Sequence, residues 1–254
     1  MTLSRFRTAL QQGHIDCIKS IHGYLVRYKH GVIHIDMDEP DYSNIPNWSL
    51  ACYPGAKECM PDDLPCPLGK EVVTTLFVDM NLYHDLISSR SVIGCLYMIN
   101  KTLIDWFLKL QLTVETATFG SEYIVARTCM EQIIDLRRNT LRYLRGVPVK
   151  GESFMFGNNE SIVNTASTPH TKLTKQHNMQ SYHKTREAIA AGITCCFHHV
   201  SGKKNLVDIL SKHWNISSVW EMLHPLLFWK FQPLQEDEAT QDDGKDESSA
   251  HQGE

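Results

Sequence analysis

The stretch Thr74-Thr75-Leu76-Phe77-Val78-Asp79-Met80-Asn81-Leu82 decides how the rest of the chain is read. It is β-branched and apolar, then meets a carboxylate. That is the pattern of a buried strand carrying an acid near its end. A buried strand holds a side chain rigidly enough for catalysis or metal binding. Taken alone, Asp79 reads first as the cap of a turn. Three residues further along the chain change this reading: Glu122, Asn158 and Asp208 each stand at a similar structural transition.

Working outward, three strands are predicted over 72–80, 91–99 and 102–107, the last two joined by a tight turn at Asn100-Lys101. Such short connections make an antiparallel meander. A long helix is predicted over 118–144, with Tyr123, Ala126, Met130, Ile133, Ile134, Leu141 and Leu144 as its apolar stripe. Gly146 and Pro148 end it. A short strand over 153–156 turns at Gly157-Asn158-Asn159 into a helix over 160–166, with an asparagine as N-cap. Then come a basic loop, a helix over 179–191, a strand over 193–200 and a helix over 206–212. A last apolar helix is predicted over 219–229. The order βββ-α-β-α-α-β-α implies an α/β fold: a mixed five-stranded sheet with helices on both faces.

In that topology the first and fourth strands can lie side by side at the centre of the sheet. Asp79, Glu122, Asn158 and Asp208 then converge on one point. Convergent carboxylates repel and need divalent cations to coexist. Two Mg²⁺ ions about 4 Å apart would suit such a set and would promote hydrolysis of a phosphodiester.

The flanks read differently. Residues 14–29 form an amphipathic helix with Ile15, Ile18, Ile21, His22, Leu25 and Val26 on one face, and 32–35 can form a short strand. Residues 36–70 carry Pro40, Pro46, Pro54, Pro61, Pro65 and Pro67, so a long irregular linker with a boundary near 69–70 is expected. The formal net charge of −4 is concentrated in the tail, where Glu236, Asp237, Glu238, Asp242, Asp243, Asp246 and Glu247 face Lys245. Residues 232–254 are therefore expected to be disordered. The remainder is slightly basic, which leaves room for a nucleic-acid partner.

No apolar run approaches the roughly 18 residues of a membrane span, and residues 1–7 lack the apolar core of a signal peptide. Cys52, Cys59 and Cys66 recur every seven residues, but no further ligand completes a tetrahedral zinc site. Reduced thiols in an intracellular protein, cytoplasmic or nuclear, are the simpler reading.

Six blocks carry a resemblance. They are Phe77-Val78-Asp79, Ser88-Ser89-Arg90-Ser91-Val92-Ile93-Gly94, Trp106 to Val114, Ala117-Thr118-Phe119-Gly120-Ser121-Glu122-Tyr123, Gly157-Asn158-Asn159-Glu160-Ser161 and Val207-Asp208-Ile209-Leu210-Ser211-Lys212. In their order and spacing the sequence resembles the ribonuclease H domain at the C-terminal end of Ty1/copia-type retrotransposon Pol polyproteins. Residues 1–35, with Ser4-Arg5-Phe6-Arg7 and Gly13-His14 to Tyr24-Leu25, look like the remnant of the connection to the reverse transcriptase. The resemblance implies a ribonuclease H-like domain over 71–214 and a C-terminal helix over 215–231. It also implies Mg²⁺-dependent hydrolysis of the RNA strand of RNA–DNA hybrids, with a reverse transcriptase module as a further partner. There is no Tyr-x-Asp-Asp of a polymerase palm.

The resemblance assigns metal-binding acids to Asp79, Glu122 and Asp208. The third position departs from the family: Asn158-Asn159 stands where the family has Asp-Asn. An asparagine is neutral and offers one carbonyl oxygen where an aspartate offers two anionic ones. Loss of about 3–5 kcal/mol of transition-state stabilisation would slow the cut roughly 10²- to 10⁴-fold. Mg²⁺ is thus expected to bind weakly or not at all, and the chain reads as an impaired nuclease, a hybrid-binding module that does not cut, or a retroelement remnant. Lys172, Lys175, His177, Lys203 and Lys204 are the candidates for gripping phosphates, with a solvated face as the plain alternative. His183 reads as a surface residue and Trp106 as core.

Overall fold

The computed structural model describes residues 9–27, 29, 32–45, 53–85, 88–112, 114, 118–168, 170–171, 178–212, 216–224 and 226–228. The acidic tail expected to be disordered, and Lys172, Lys175 and His177, lie outside the described residues. The chain divides into two units, one of residues 1–32 with 228–254 and one from Ile33 to Leu227. In the first, α1 spans Gln12–Arg27 and buries none of its residues. Among the described residues no helix is long and apolar enough to cross a membrane.

The second unit is built on five strands: β1 (Thr74–Asp85), β2 (Arg90–Ile99), β3 (Thr102–Leu110), β4 (Ser153–Gly157) and β5 (Thr194–His199). Their order in the sheet is β3-β2-β1-β4-β5. β1 pairs antiparallel with β2 and parallel with β4, so the strand carrying Asp79 is central and lies beside the fourth strand. This is the mixed five-stranded α/β sheet read from the sequence. Asn100 builds the β2–β3 turn with a left-handed φ of 53°, which asparagine tolerates better than most residues. Its Oδ1 accepts from Val73 N at 2.9 Å and its Nδ2 donates to Met37 O at 2.7 Å.

Alternation along the strands sends one set of side chains to each face. Leu76, Val78, Met80, Ile93, Cys95, Tyr97, Met155 and Phe197 face one side. There they meet α2 (Thr118–Asp135), α3 (Glu160–Ser167) and α4 (Met179–Ala190). On the other face Leu96, Met98, Leu103 and Phe77 meet Val207 and Leu226, beside the short α5 (Asp208–Ser211). Helices therefore cover both faces, as expected, although the second cover is thin. α6 (Ile216–Leu223) follows.

Several element boundaries differ from expectation. The long helix is α-helical only to Asp135, and Leu136–Leu144 continues as a wider π-helix. This widened turn carries a buried arginine. Arg137 is fully buried, and its guanidinium donates to Thr74 Oγ1, Ser153 Oγ and Gly151 O. The helix expected over 219–229 ends at Leu223, and the chain is extended again at Leu227–Phe228. Trp106 is 49% exposed, because β3 is an edge strand. Residues 36–70 are irregular, yet the described part of them belongs to the same compact unit as the sheet. Tyr42 packs on Phe154 and Phe156, and buried Glu58 pairs with Arg137, Arg138 and Arg142.

Candidate functional site

Asp79 sits in the middle of β1, one residue past the last β1–β4 pair, Val78↔Gly157. On the other side it pairs with Gly94 of β2. A Cβ at Gly94 would lie 3.0 Å from Val207 Cγ2. The glycine is what lets the segment before α5 lie down on the sheet and bring Asp208 to Asp79. Asn205 holds that segment: its Nδ2 donates to Val78 O at 3.0 Å, and its Oδ1 accepts from Val207 N at 3.4 Å. Asn158 follows the end of β4, and Asn159 caps α3 by accepting from Ser161 N and Ile162 N, as read from the sequence. Glu122 lies in the first turns of α2.

The structure joins Asp79 to Asn158 by a hydrogen bond and sets Asp208 near it, while Glu122 is related to Asp79 through charge alone. Asn158 Nδ2 donates to Asp79 Oδ1 at 2.8 Å. Ser211 Oγ donates to Asp79 Oδ2 at 2.6 Å. Lys212 Nζ donates to Asp208 Oδ2 at 2.6 Å. Asp79 and Asp208 are each 1% exposed. Burial pushes Asp208 up to about 6. The charge and hydrogen bond of Asp79 push the same way, while the Lys212 ammonium pulls against them. Glu122 is pushed up to about 8, first by burial and then by the charge of Asp79, against a hydrogen bond from Asn159 and the charge of Lys212. In both, burial is the largest cause and the charge of Asp79 adds to it.

Sequence reasoning missed the donors. Ser211 and Lys212 stand three and four residues after Asp208, the spacing that puts side chains on one helical face, so Lys212 was findable. Asn205, three residues before Asp208, was findable as a cap. The partnership of Asn159 with Glu122 is long-range and leaves no local trace. Lys203 and Lys204 are exposed on a turn whose first residue, Gly202, lies beside the Asp208 carboxylate. His183 is exposed, as read.

Solved structures similar to this chain are ribonuclease H domains. The N-terminal RNase H domain of Rv2228c from Mycobacterium tuberculosis is 11% identical with a TM-score of 0.42, covering 60% of this chain and 97% of its own. RNase H1 from Halobacterium salinarum is 9% identical with a TM-score of 0.39, covering 56% and 94%. LC11-RNase H1 isolated from compost, solved in complex with an RNA/DNA hybrid, is 16% identical with a TM-score of 0.38, covering 52% and 88%. No family model and no curated protein matches the sequence.

The arrangement does not fit a pair of divalent cations. Both oxygens of Asp79 accept hydrogen bonds from protein donors, and one oxygen of Asp208 accepts from an ammonium. Asn158 turns its amide nitrogen, not its carbonyl oxygen, toward Asp79. Each of these oxygens keeps a second lone pair, but the neighbouring N–H groups and the ammonium repel a cation there. Among the described residues no group of three or more His, Cys, Asp or Glu is arranged to hold an ion.

Proposed function

We propose that this chain is a ribonuclease H-like module that binds RNA–DNA hybrid and cuts its RNA strand at or near background rate. The observation that supports this reading is the hydrogen bond from Asn158 Nδ2 to Asp79 Oδ1 at 2.8 Å. The position that the resemblance assigns to a third acid is a neutral donor, and it consumes a lone pair of the first. The gathering of Asp79, Asn158 and Asp208 where β1 leaves its pairing with β4, with the charge of Asp79 acting on Glu122, supports the assignment of this site. The order of the six sequence blocks supports an origin in a Ty1/copia-type Pol polyprotein, with Mg²⁺ as the ancestral cofactor and a reverse transcriptase module as a former neighbour.

Binding in this reading rests on the phosphate backbone. Lys203 and Lys204 are exposed on the turn that begins at Gly202 beside Asp208, and Lys172, Lys175 and His177, which lie outside the described residues, are the further proposed phosphate contacts. Phosphate contacts release counterions, so affinity falls with salt, by a slope of about −0.7 to −0.9 per contact. The test is a titration of labelled RNA–DNA hybrid at several salt concentrations, beside a gel assay of cleavage. Salt-dependent binding is expected, and the double variant Lys203→Gln/Lys204→Gln should lower the slope by about 1.4–1.8. Absence of hybrid binding at low salt, or cleavage by the wild type at a full catalytic rate, would overturn the reading.

A further inference from the structure

The donors around the buried aspartates come from segments far apart in the chain. Asn158 reaches Asp79 from the end of β4, and Ser211 reaches it from the end of α5. Asn205 Nδ2 bonds Val78 O, and Asn81 Nδ2 donates to Ser211 O at 2.9 Å. All these bonds tie residues 205–212 or β4 to β1. Among them stands one ammonium, that of Lys212, in contact with Asp208 Oδ2 at 2.6 Å; the lysine side chain is 38% exposed and that of Asp208 2%.

We propose that Lys212 is the resident cation of this site. Its ammonium balances the Asp208–Asp79 pair in place of a divalent ion, and the network serves as a metal-independent clasp that holds residues 205–212 on β1. The reasoning is electrostatic. Convergent carboxylates need a positive charge to coexist, and a compact ammonium at hydrogen-bond distance supplies it. An incoming divalent ion would have to displace that ammonium and shed tightly held water, while Asp79 is already committed to two donors. The clasp shares residues with the proposed hybrid-binding module but does not depend on its ligand.

Thermal unfolding of the full chain tests this, in EDTA and with increasing Mg²⁺. The wild type should melt at the same temperature in both. Lys212→Met should melt at least about 2–4 °C lower in EDTA, the shift of a loss near 1 kcal/mol in a unit of this size, and should recover as Mg²⁺ takes the vacated role. Lys212→Arg should behave as wild type. A wild-type melting temperature that climbs with Mg²⁺ would overturn the proposal. So would a Lys212→Met variant that matches wild type in EDTA or gains nothing from Mg²⁺. If Lys212→Met does not fold, the wild type and Lys212→Arg decide: insensitivity of both supports the clasp, and stabilisation of either by Mg²⁺ overturns it. Hybrid binding measured on the same samples separates the two readings. Failure to bind hybrid, with a wild type indifferent to Mg²⁺, sinks the module and leaves the clasp standing.

Discussion

Asn158 gives its amide hydrogen to Asp79 at 2.8 Å, across the seam between the two central parallel strands. In a site with a fourth acid the same two positions would repel. Here they attract, and the site closes on itself. That change of sign, with the charges around it, sets how the protein should respond to pH and to substitution.

Glu122 makes stability fall as pH rises. Its ordinary value is 4.5 and the folded value is about 8, so the folded state holds a proton that the unfolded state has lost between those limits. Unfolding free energy therefore decreases with pH across this window. Asp208 adds the same sign between 3.8 and about 6. Glu122→Gln should flatten the dependence of Tm on pH between about 4.5 and 8 and raise Tm at pH 8. An unchanged slope in the variant would contradict the raised, burial-driven titration of Glu122.

Glu58 acts in the opposite direction. Burial alone would raise it, but Arg142, Arg137 and Arg138 outweigh burial and hold its carboxyl below the ordinary value of 4.5. A depressed carboxylate contributes stability above its unfolded value and loses it as pH falls through its folded value. Glu58→Ala leaves three guanidinium groups uncompensated, one of them fully buried, at a cost of about 3–5 kcal/mol. Tm should drop by roughly 6–20 °C at neutral pH, read by calorimetry. A change of less than about 2 °C would show that residues 36–70 are not clasped to the helix in the way described.

Much of this was legible in the sequence because it is local. The β-branched run into Asp79, the Asn100-Lys101 turn and the Asn159 cap are each set by residues within a few positions of one another. They gave the antiparallel meander and the central Asp79 strand beside the fourth, while the roles of the four site positions came from the resemblance. What was not legible depends on distant partners. The π-helix from Leu136 carries Arg137, whose buried bonds reach Thr74 and Ser153, 63 and 16 residues away. The proline-rich segment reads as a linker because the arginines that bury Glu58 lie 79 to 84 residues further on. Trp106 reads as core by residue type, and only the sheet order reveals an edge strand. At the site, the acids were found by their order, whereas the donors that neutralise them were not. Ser211 and Lys212 were visible in the sequence, but their partners were not.

The central claim is that a single neutral residue at position 158 keeps this carboxylate site from cutting. Asn158→Asp changes almost no volume, so the fold should tolerate it. It replaces a donor to Asp79 with a further negative charge beside Asp79 and Asp208, more than the ammonium of Lys212 can balance, and so creates a demand for divalent cations. Added anionic oxygens in such sites are worth several kcal/mol in the transition state. The decisive measurement is a gel assay on a labelled RNA–DNA hybrid with and without Mg²⁺. Asn158→Asp should raise Mg²⁺-dependent cleavage of the RNA strand by at least about 10²-fold, and a further Asp79→Asn change should abolish the gain. A folded Asn158→Asp protein that remains as inert as the wild type would contradict the account.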